Sequence, residues 1–563
     1  MRRRRFRMSW LASLAALALL AGCVSIPTSG GVTTTDVQAE DPDNPLLSLP
    51  ASPSKDATPA EIVADFLRAG RGPQDNYAVA REYLTDAFKS KWSPFARTLV
   101  SSTPISPVAL ADNTFSVSVS AEAAVDDQGR YQTATPSDGY ELTFGLVQND
   151  AGQWRISSAP DGTVLSPSRF GAIFDPFELY FFDPSFRYLV PDLRWFRTGA
   201  AAAGTVVDAL LAGPSDRLGS GVLFSAFPAG TQRPRNEKVT ITAGVASVPL
   251  SSDVSAGGVT THRRMQQQLL ATLRSVSSVR EVDMVVNSFT LQVPDGGTVP
   301  ESSYLVGNDP IGGVEGRIGV LSTDGITPIS GIGRGADDLA ATAASIVSAD
   351  RGTIAVRSAA GISIVRSGQA PVVIDPRPGP LAPSLDALGY TWSVPASAPD
   401  ALEAIAKDGT PHAVAGLPSD ARVVSVDVSR DGARLLVALQ TAGGPRLLVA
   451  GIQRDADLNP TALVSALDIP IGDAALIDAA WVDGVTVVVL TAGTVTSIDT
   501  YDIGGQHSSL GTLAGGVDGV QIVGGNGAEG TRVLDSAGNV LRPGGGASWQ
   551  DTGIVASFLA TQQ

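Results

Sequence analysis

The chain has 563 residues, 40 Lys+Arg against 56 Asp+Glu for a formal net charge of −16, and a single cysteine. So acidic a chain lacks the basic footprint that nucleic acid or an anionic bilayer face requires, and one cysteine excludes a disulfide framework and a multi-thiolate zinc site. The length suits three or four domains rather than one.

In chain order, Met1-Arg2-Arg3-Arg4-Arg5-Phe6-Arg7 is a cationic start, and an apolar, small-residue stretch runs from Trp10 to Ala21. That stretch is too short for a stable transmembrane helix and has the length of a secretion signal. Leu20-Ala21-Gly22-Cys23 follows and resembles the bacterial lipobox. Residues 1–22 therefore read as a removable lipoprotein signal peptide, and Cys23 as the lipidated first residue of the mature chain, an S-diacylglyceryl and N-palmitoyl cysteine. Acyl chains bury about 0.8 kcal/mol per CH₂, so two or three of them anchor the body firmly to the membrane. Removing the signal takes five basic residues and no acid, leaving 35 against 56 and a formal −21. Arg3-Arg4-Arg5-Phe6 partly matches a twin-arginine signal, which leaves the export route open. No later segment has 18 consecutive apolar residues, so no second span is expected.

Residues 23–57 read as a flexible tether, rich in Pro, Ser, Thr, Gly and Asp. The run Asp41-Pro42-Asp43-Asn44 lacks the glycine and downstream glutamate of a calcium loop. Thr58-Pro59-Ala60-Glu61 is a helix start, and Ile62, Val63, Phe66 and Leu67 share one face. A second helix is expected through Tyr77, Ala80, Tyr83 and Leu84 to near Ser93-Pro94. The period then drops to two in Phe115, Val117 and Val119 and in Tyr140, Leu142, Phe144 and Leu146, with Trp154-Arg155-Ile156 beyond a turn. Residues 58–165 thus form an α+β N-terminal domain.

Two short strands, Leu179-Tyr180-Phe181-Phe182-Asp183 and Tyr188-Leu189-Val190-Pro191, open a second unit at 175–295. Its helices carry Val206, Val207, Ala209, Leu210 and Leu211, closed by Gly213-Pro214, and Met265, Leu269, Leu270 and Leu273. Strands at Val239-Thr240-Ile241, Val245–Leu250 and Val282–Val286 complete a small α/β layer. From 305 to 563 an aspartate-containing turn followed by a β-branched strand recurs, at Asp350, Asp386, Asp431, Asp483 and Asp518. A beat of about 40 residues is that of four-stranded blades, so an all-β propeller of five to seven blades, six as the central value, is expected.

Candidate chemistry is sparse. The three histidines, His262, His412 and His507, share no ligand spacing and read as a solvated helix residue and two loop residues, so neither a metal site nor a catalytic base is assigned. Gly525-Asn526-Gly527-Ala528-Glu529-Gly530 matches G-x-G-x-x-G, but a strand pattern follows where a phosphate site needs a helix, which makes it a hairpin loop. Ile332-Gly333-Arg334-Gly335 reads as a turn. Most aspartates stand in Asp-Gly turns, where the side chain caps its own backbone. Phe181, Phe182, Trp195 and Phe196 read as core rather than as a recognition platform. No cofactor and no catalytic residue is expected.

The order of parts resembles a known family. The lipobox, the α+β unit, Tyr180-Phe181-Phe182-Asp183 with Leu189-Val190-Pro191-Asp192-Leu193-Arg194-Trp195, and Ala209-Leu210-Leu211-Ala212-Gly213-Pro214-Ser215 look like the actinobacterial LpqB lipoproteins. The middle region is similar to the GerM-type domain of spore and cell-wall proteins, and Ser429-Arg430-Asp431-Gly432 resembles the Ser-Pro-Asp-Gly turn of TolB-like propellers. The resemblance implies a partner, the extracytoplasmic part of an MtrB-like sensor kinase acting through the regulator MtrA, and a role in cell-envelope homeostasis and division. The residues themselves give a tethered, acidic, non-enzymatic body on the outer face of the cell membrane. A glycan-binding or glycan-processing protein with cell-wall contact is the alternative reading.

Overall fold

The computed structural model describes residues 50–111, 113–134, 139–216, 221–347 and 352–563. The expected signal peptide, Cys23 and the tether as far as residue 49 lie outside the described residues, as does the Asp350 turn. From Pro50 onward the chain is already docked, for the Tyr83 hydroxyl donates to the carbonyl of Ala51 at 2.7 Å.

The first helix, Pro59–Ala69, begins with the capping box read from the sequence: Thr58 Oγ1 accepts from the Glu61 amide and the Glu61 carboxylate accepts from the Thr58 amide. The expected second helix is only Ala78–Glu82. Asp75, Asn76 and Tyr77 all have positive φ, at 46°, 56° and 60°, which fixes the helix start, and its end is set where Leu84 pairs with Ile156, whose amide donates to Tyr83 O and whose carbonyl accepts from Thr85 N at 2.9 Å each. Two four-stranded sheets complete the domain, with Val117, Phe144 and Ile156 packed against Ile62, Val63 and Phe66.

A helix absent from the sequence reading, Pro167–Ile173, leads into the second part. The two strands expected to be short are a nine-residue antiparallel ribbon, Phe174–Phe182 paired with Leu189–Arg197. Leu179, Phe181 and Phe182 are fully buried against the helices Ala202–Ala212 and Val259–Arg274, and Trp195 and Phe196 are buried as well, so these aromatics are core. Behind the long helix, Val245–Pro249 and Glu281–Val286 pair in parallel, the crossover a β-α-β unit requires.

The remaining strands form six four-stranded arrays among the described residues. Their inner strands are Ala343–Ile346, Ser384–Leu385, Arg422–Val428, Ala475–Trp481, Gly519–Val523 and the C-terminal Phe558–Gln562, which joins Ile311–Val314, Arg317–Ser322 and Gly325–Pro328 to make the first blade. Splaying blades leaves inner-strand amides without a sheet partner, and side chains from the preceding blade supply one. Ser345 Oγ accepts from Leu385 N at 3.1 Å, Ser384 Oγ from Val428 N at 3.0 Å and Asp427 Oδ2 from Trp481 N at 3.0 Å. Asp478 Oδ2 accepts from Ile522 N at 3.0 Å and Gln521 Oε1 from Leu559 N at 2.9 Å, and the ring closes where Gln563 N donates to Ile346 O at 2.9 Å.

The repeat turns out to be out of phase at its last member. Asp386, Asp431 and Asp483 each follow the inner strand of a blade and accept backbone amides of the turn into the second strand. Asp518 precedes its inner strand, Gly519–Val523, and the equivalent turn of that blade is the glycine-rich loop around Asn526. Ile332–Gly335, read as a turn, leads into a one-turn helix, Gly333–Asp337.

Candidate functional site

An antiparallel four-stranded blade puts its first and third turns at one end of the propeller and its second turn, with the crossover to the next blade, at the other. The first end is occupied. The Tyr188 hydroxyl donates to Ala387 O at 3.1 Å and Trp195 Nε1 to Gly504 O at 3.1 Å, so the second strand of the ribbon rests on propeller turns just before its start and near its end. Arg430, standing where the family turn carries proline, donates to Tyr304 O at 2.9 Å and Gly525 O at 2.8 Å. Asn526 of the G-x-G-x-x-G loop pairs with Val306 in both directions, each bond 2.8 Å, so this loop fastens the linker between the second domain and the propeller. The strand Arg532–Asp535 follows it directly.

Arg194 and Asp192, both buried, pair at 2.7 Å at the same junction. Arg194 also donates to Gln128 O of the first domain at 3.0 Å, and Asp192 accepts the Ser215 amide at 2.9 Å. The ribbon is therefore a strut that touches all three parts.

Beside this strut lies a cavity of about 500 Å³, a size that suits a small organic ligand. The ribbon contributes Glu178 and Tyr180, the long helix Arg274, the linker Ser302 and Ser303, and the propeller Thr486 and Asp502. The Tyr180 hydroxyl donates to Glu178, and the Thr486 hydroxyl to Asp502 at 3.0 Å. Burial raises the Asp502 pKa, Asp483 and Glu178 raise it further, and the Thr486 hydrogen bond opposes them. Burial and the neighbouring Glu178 likewise push Tyr180 above the ordinary phenol value.

The opposite end is different in kind. Its turns and crossovers carry the exposed carboxylates Glu315, Asp338, Asp400, Asp420, Asp473 and Asp518, which outnumber the exposed Arg317 and Arg422 there. No group of three or more His, Cys, Asp or Glu among the described residues could hold a metal ion. His262 is half-buried, with Nε2 3.0 Å from the carbonyl of Val254. His412 and His507, expected in loops, lie in the strands Pro411–Ala413 and His507–Thr512, where each packs on the ring of a tyrosine, Tyr390 and Tyr501 respectively.

The sequence reading missed Glu178, Arg274 and Asp502, which come from elements far apart in the chain. One signal was available: Glu178 is a lone acid within the otherwise apolar run Phe177 to Phe182.

Three family matches follow the same division. Residues 52–171 match the N-terminal domain of lipoprotein LpqB, 178–291 the sporulation and spore germination family Germane, and 316–557 the LpqB beta-propeller domain. The chain is an LpqB-type protein. Lipoprotein LpqB of Streptomyces coelicolor is 28% identical over 81% of this chain and 81% of its own length. That of Cutibacterium acnes is 30% identical over 50% of this chain and 47% of its own length, so there the aligned part spans about half of each. The first GerMN domain of the Bacillus subtilis sporulation protein GerM superposes at 25% identity over 23% of this chain and 95% of that one, with a TM-score of 0.18. The LpqB-type architecture is multidomain and mostly strand, and its relatives are named as lipoproteins.

Proposed function

We propose that this LpqB-type chain is anchored through Cys23 at the extracytoplasmic face of the cell membrane and modulates a two-component sensor kinase, MtrB-like and acting through MtrA, by protein–protein binding rather than catalysis. One observation carries the reading: among the described residues the rest of the chain engages the propeller through its first- and third-turn end, and the other end presents exposed aspartates. An acidic end steers a partner with a basic surface, which makes association sensitive to salt. The acyl anchor adds a second term, because confinement to the membrane surface raises the effective concentration of a membrane partner, so that a weak contact is well populated.

The test separates anchoring from contact. Cys23→Ala should release the protein from the membrane and lower kinase signalling in cells, while the purified body keeps its affinity for the kinase's outer domain. Normal signalling from an unanchored variant would contradict the tethering argument, and no affinity between the purified partners would contradict the partner.

A further inference from the structure

The cavity beside the ribbon is used by none of the contacts that hold the three parts together. Its walls come from five separate stretches: the ribbon, the end of the long helix, the linker that Asn526 and Arg430 fasten, and, in the propeller, the start of the strand Thr486–Ala492 and the end of the strand Thr496–Asp502. A cavity inherited from imperfect packing inside one domain would be apolar and dry. This one is lined by two carboxylates, a guanidinium, four aliphatic hydroxyls and a phenol, beside the apolar Pro176, Leu193, Ala271 and Val485.

The charge is uneven. Glu178 and Asp502 face the space, and Asp483 lies near enough to raise both Asp502 and Tyr180. Neither Glu178 nor Asp502 forms an ion pair among the described residues, and each accepts from a hydroxyl, that of Tyr180 and that of Thr486 respectively. Arg274, at the C-terminal end of its helix, likewise forms no ion pair among the described residues. Two carboxylates without a cation and one exposed cation without an anion define complementary subsites for one ligand with charges of both signs.

We propose that this cavity binds a small ligand bearing primary amines and a carboxylate, of the class of diamino acids and lysine-containing dipeptides, with its ammonium groups on Glu178 and Asp502 and its carboxylate on Arg274. Such a ligand bridges the second domain and the propeller, and it stabilises their junction in proportion to its occupancy. The inference is independent of any partner protein, so its failure would leave the kinase reading untouched.

Isothermal titration of the mature protein in detergent with alanyl-lysine, cadaverine and succinate tests it. Alanyl-lysine should bind most tightly, cadaverine more weakly and succinate least. Glu178→Gln, which keeps an acceptor for the Tyr180 hydroxyl, and Asp502→Asn should each weaken the dipeptide by about tenfold or more, the scale of one lost charge-assisted hydrogen bond. Arg274→Ala should weaken the dipeptide but not cadaverine, which has no carboxylate. Asp473→Asn, at the opposite end of the propeller, should change nothing, and unaltered thermal midpoints confirm that the variants are folded. No binding of alanyl-lysine, tighter binding of succinate than of cadaverine, or equal affinity in the folded Glu178→Gln and Asp502→Asn variants would each overturn the proposal.

Discussion

Asp427 shows how a single carboxylate joins the blades. Its Oδ1 accepts from Ser384 at 3.0 Å and from Gln563 Nε2 at 2.6 Å, and its Oδ2 accepts the Trp481 amide, so one side chain from the fourth blade holds the third, the fifth and the end of the closing strand. Burial pushes its pKa up to about 7 from the ordinary 3.8, against the pull of these donors and of Arg430. Asp478, in the inner strand of the next blade, is pushed by burial to about 6. An acid whose pKa rises on folding keeps its proton in the native state where the unfolded chain has lost it. The stability this confers is complete below the unfolded value and disappears as pH rises through the folded one. Between about pH 4 and pH 7 these two groups therefore make the protein less stable as pH increases. Asp427→Asn removes the larger share. Its amide can donate to Ser384, and the Gln563 amide can turn to offer Oε1, which has no hydrogen-bond partner in the native arrangement. Denaturant midpoints measured from pH 4 to pH 7 should fall less steeply in the variant than in the parent, and parallel profiles would contradict this account.

At the scale of elements, the linker is held by side chains rather than by sheet pairing. Asn526→Ala removes both bonds to Val306 and the bond to Asn308 at 3.0 Å, leaving the amide and carbonyl of a buried residue unpaired. The local cost is about 1–3 kcal/mol, which raises the open population about tenfold or more. Limited proteolysis should cut near the exposed Leu305 correspondingly faster, with the propeller fragment itself resistant, and an unchanged rate would contradict the fastening role. Asn526 also shows where sequence reading stopped. The period of two, the helix cap at Thr58 and the recurrent aspartate turns report local geometry, so the α+β unit, the α/β layer and the blades were all legible. Asp518 misled because an Asp-Gly pair serves equally before or after an inner strand. The ribbon's full length was hidden because Pro176 and Asp175 interrupt its apolar pattern while pairing in register with Trp195 and Phe196. The cavity was illegible for a different reason, since Glu178, Arg274 and Asp502 become neighbours only when three elements assemble.

For the whole molecule, the polarity of the propeller is the consequential feature. Its first- and third-turn end is committed to the ribbon and the linker through Tyr188, Trp195, Arg430 and Asn526, and among the described residues the acidic end carries no such contact, which is where the proposed partner docks. The most direct test of that claim is site-specific photocrosslinking in intact cells from Asp473 and Asp518, with Glu82 of the first domain as the comparison site. All three are exposed. The account predicts adducts to a membrane sensor kinase from Asp473 and Asp518 that diminish as ionic strength rises, and far fewer from Glu82. Adducts to the kinase from Glu82 with none from the two propeller positions would contradict it.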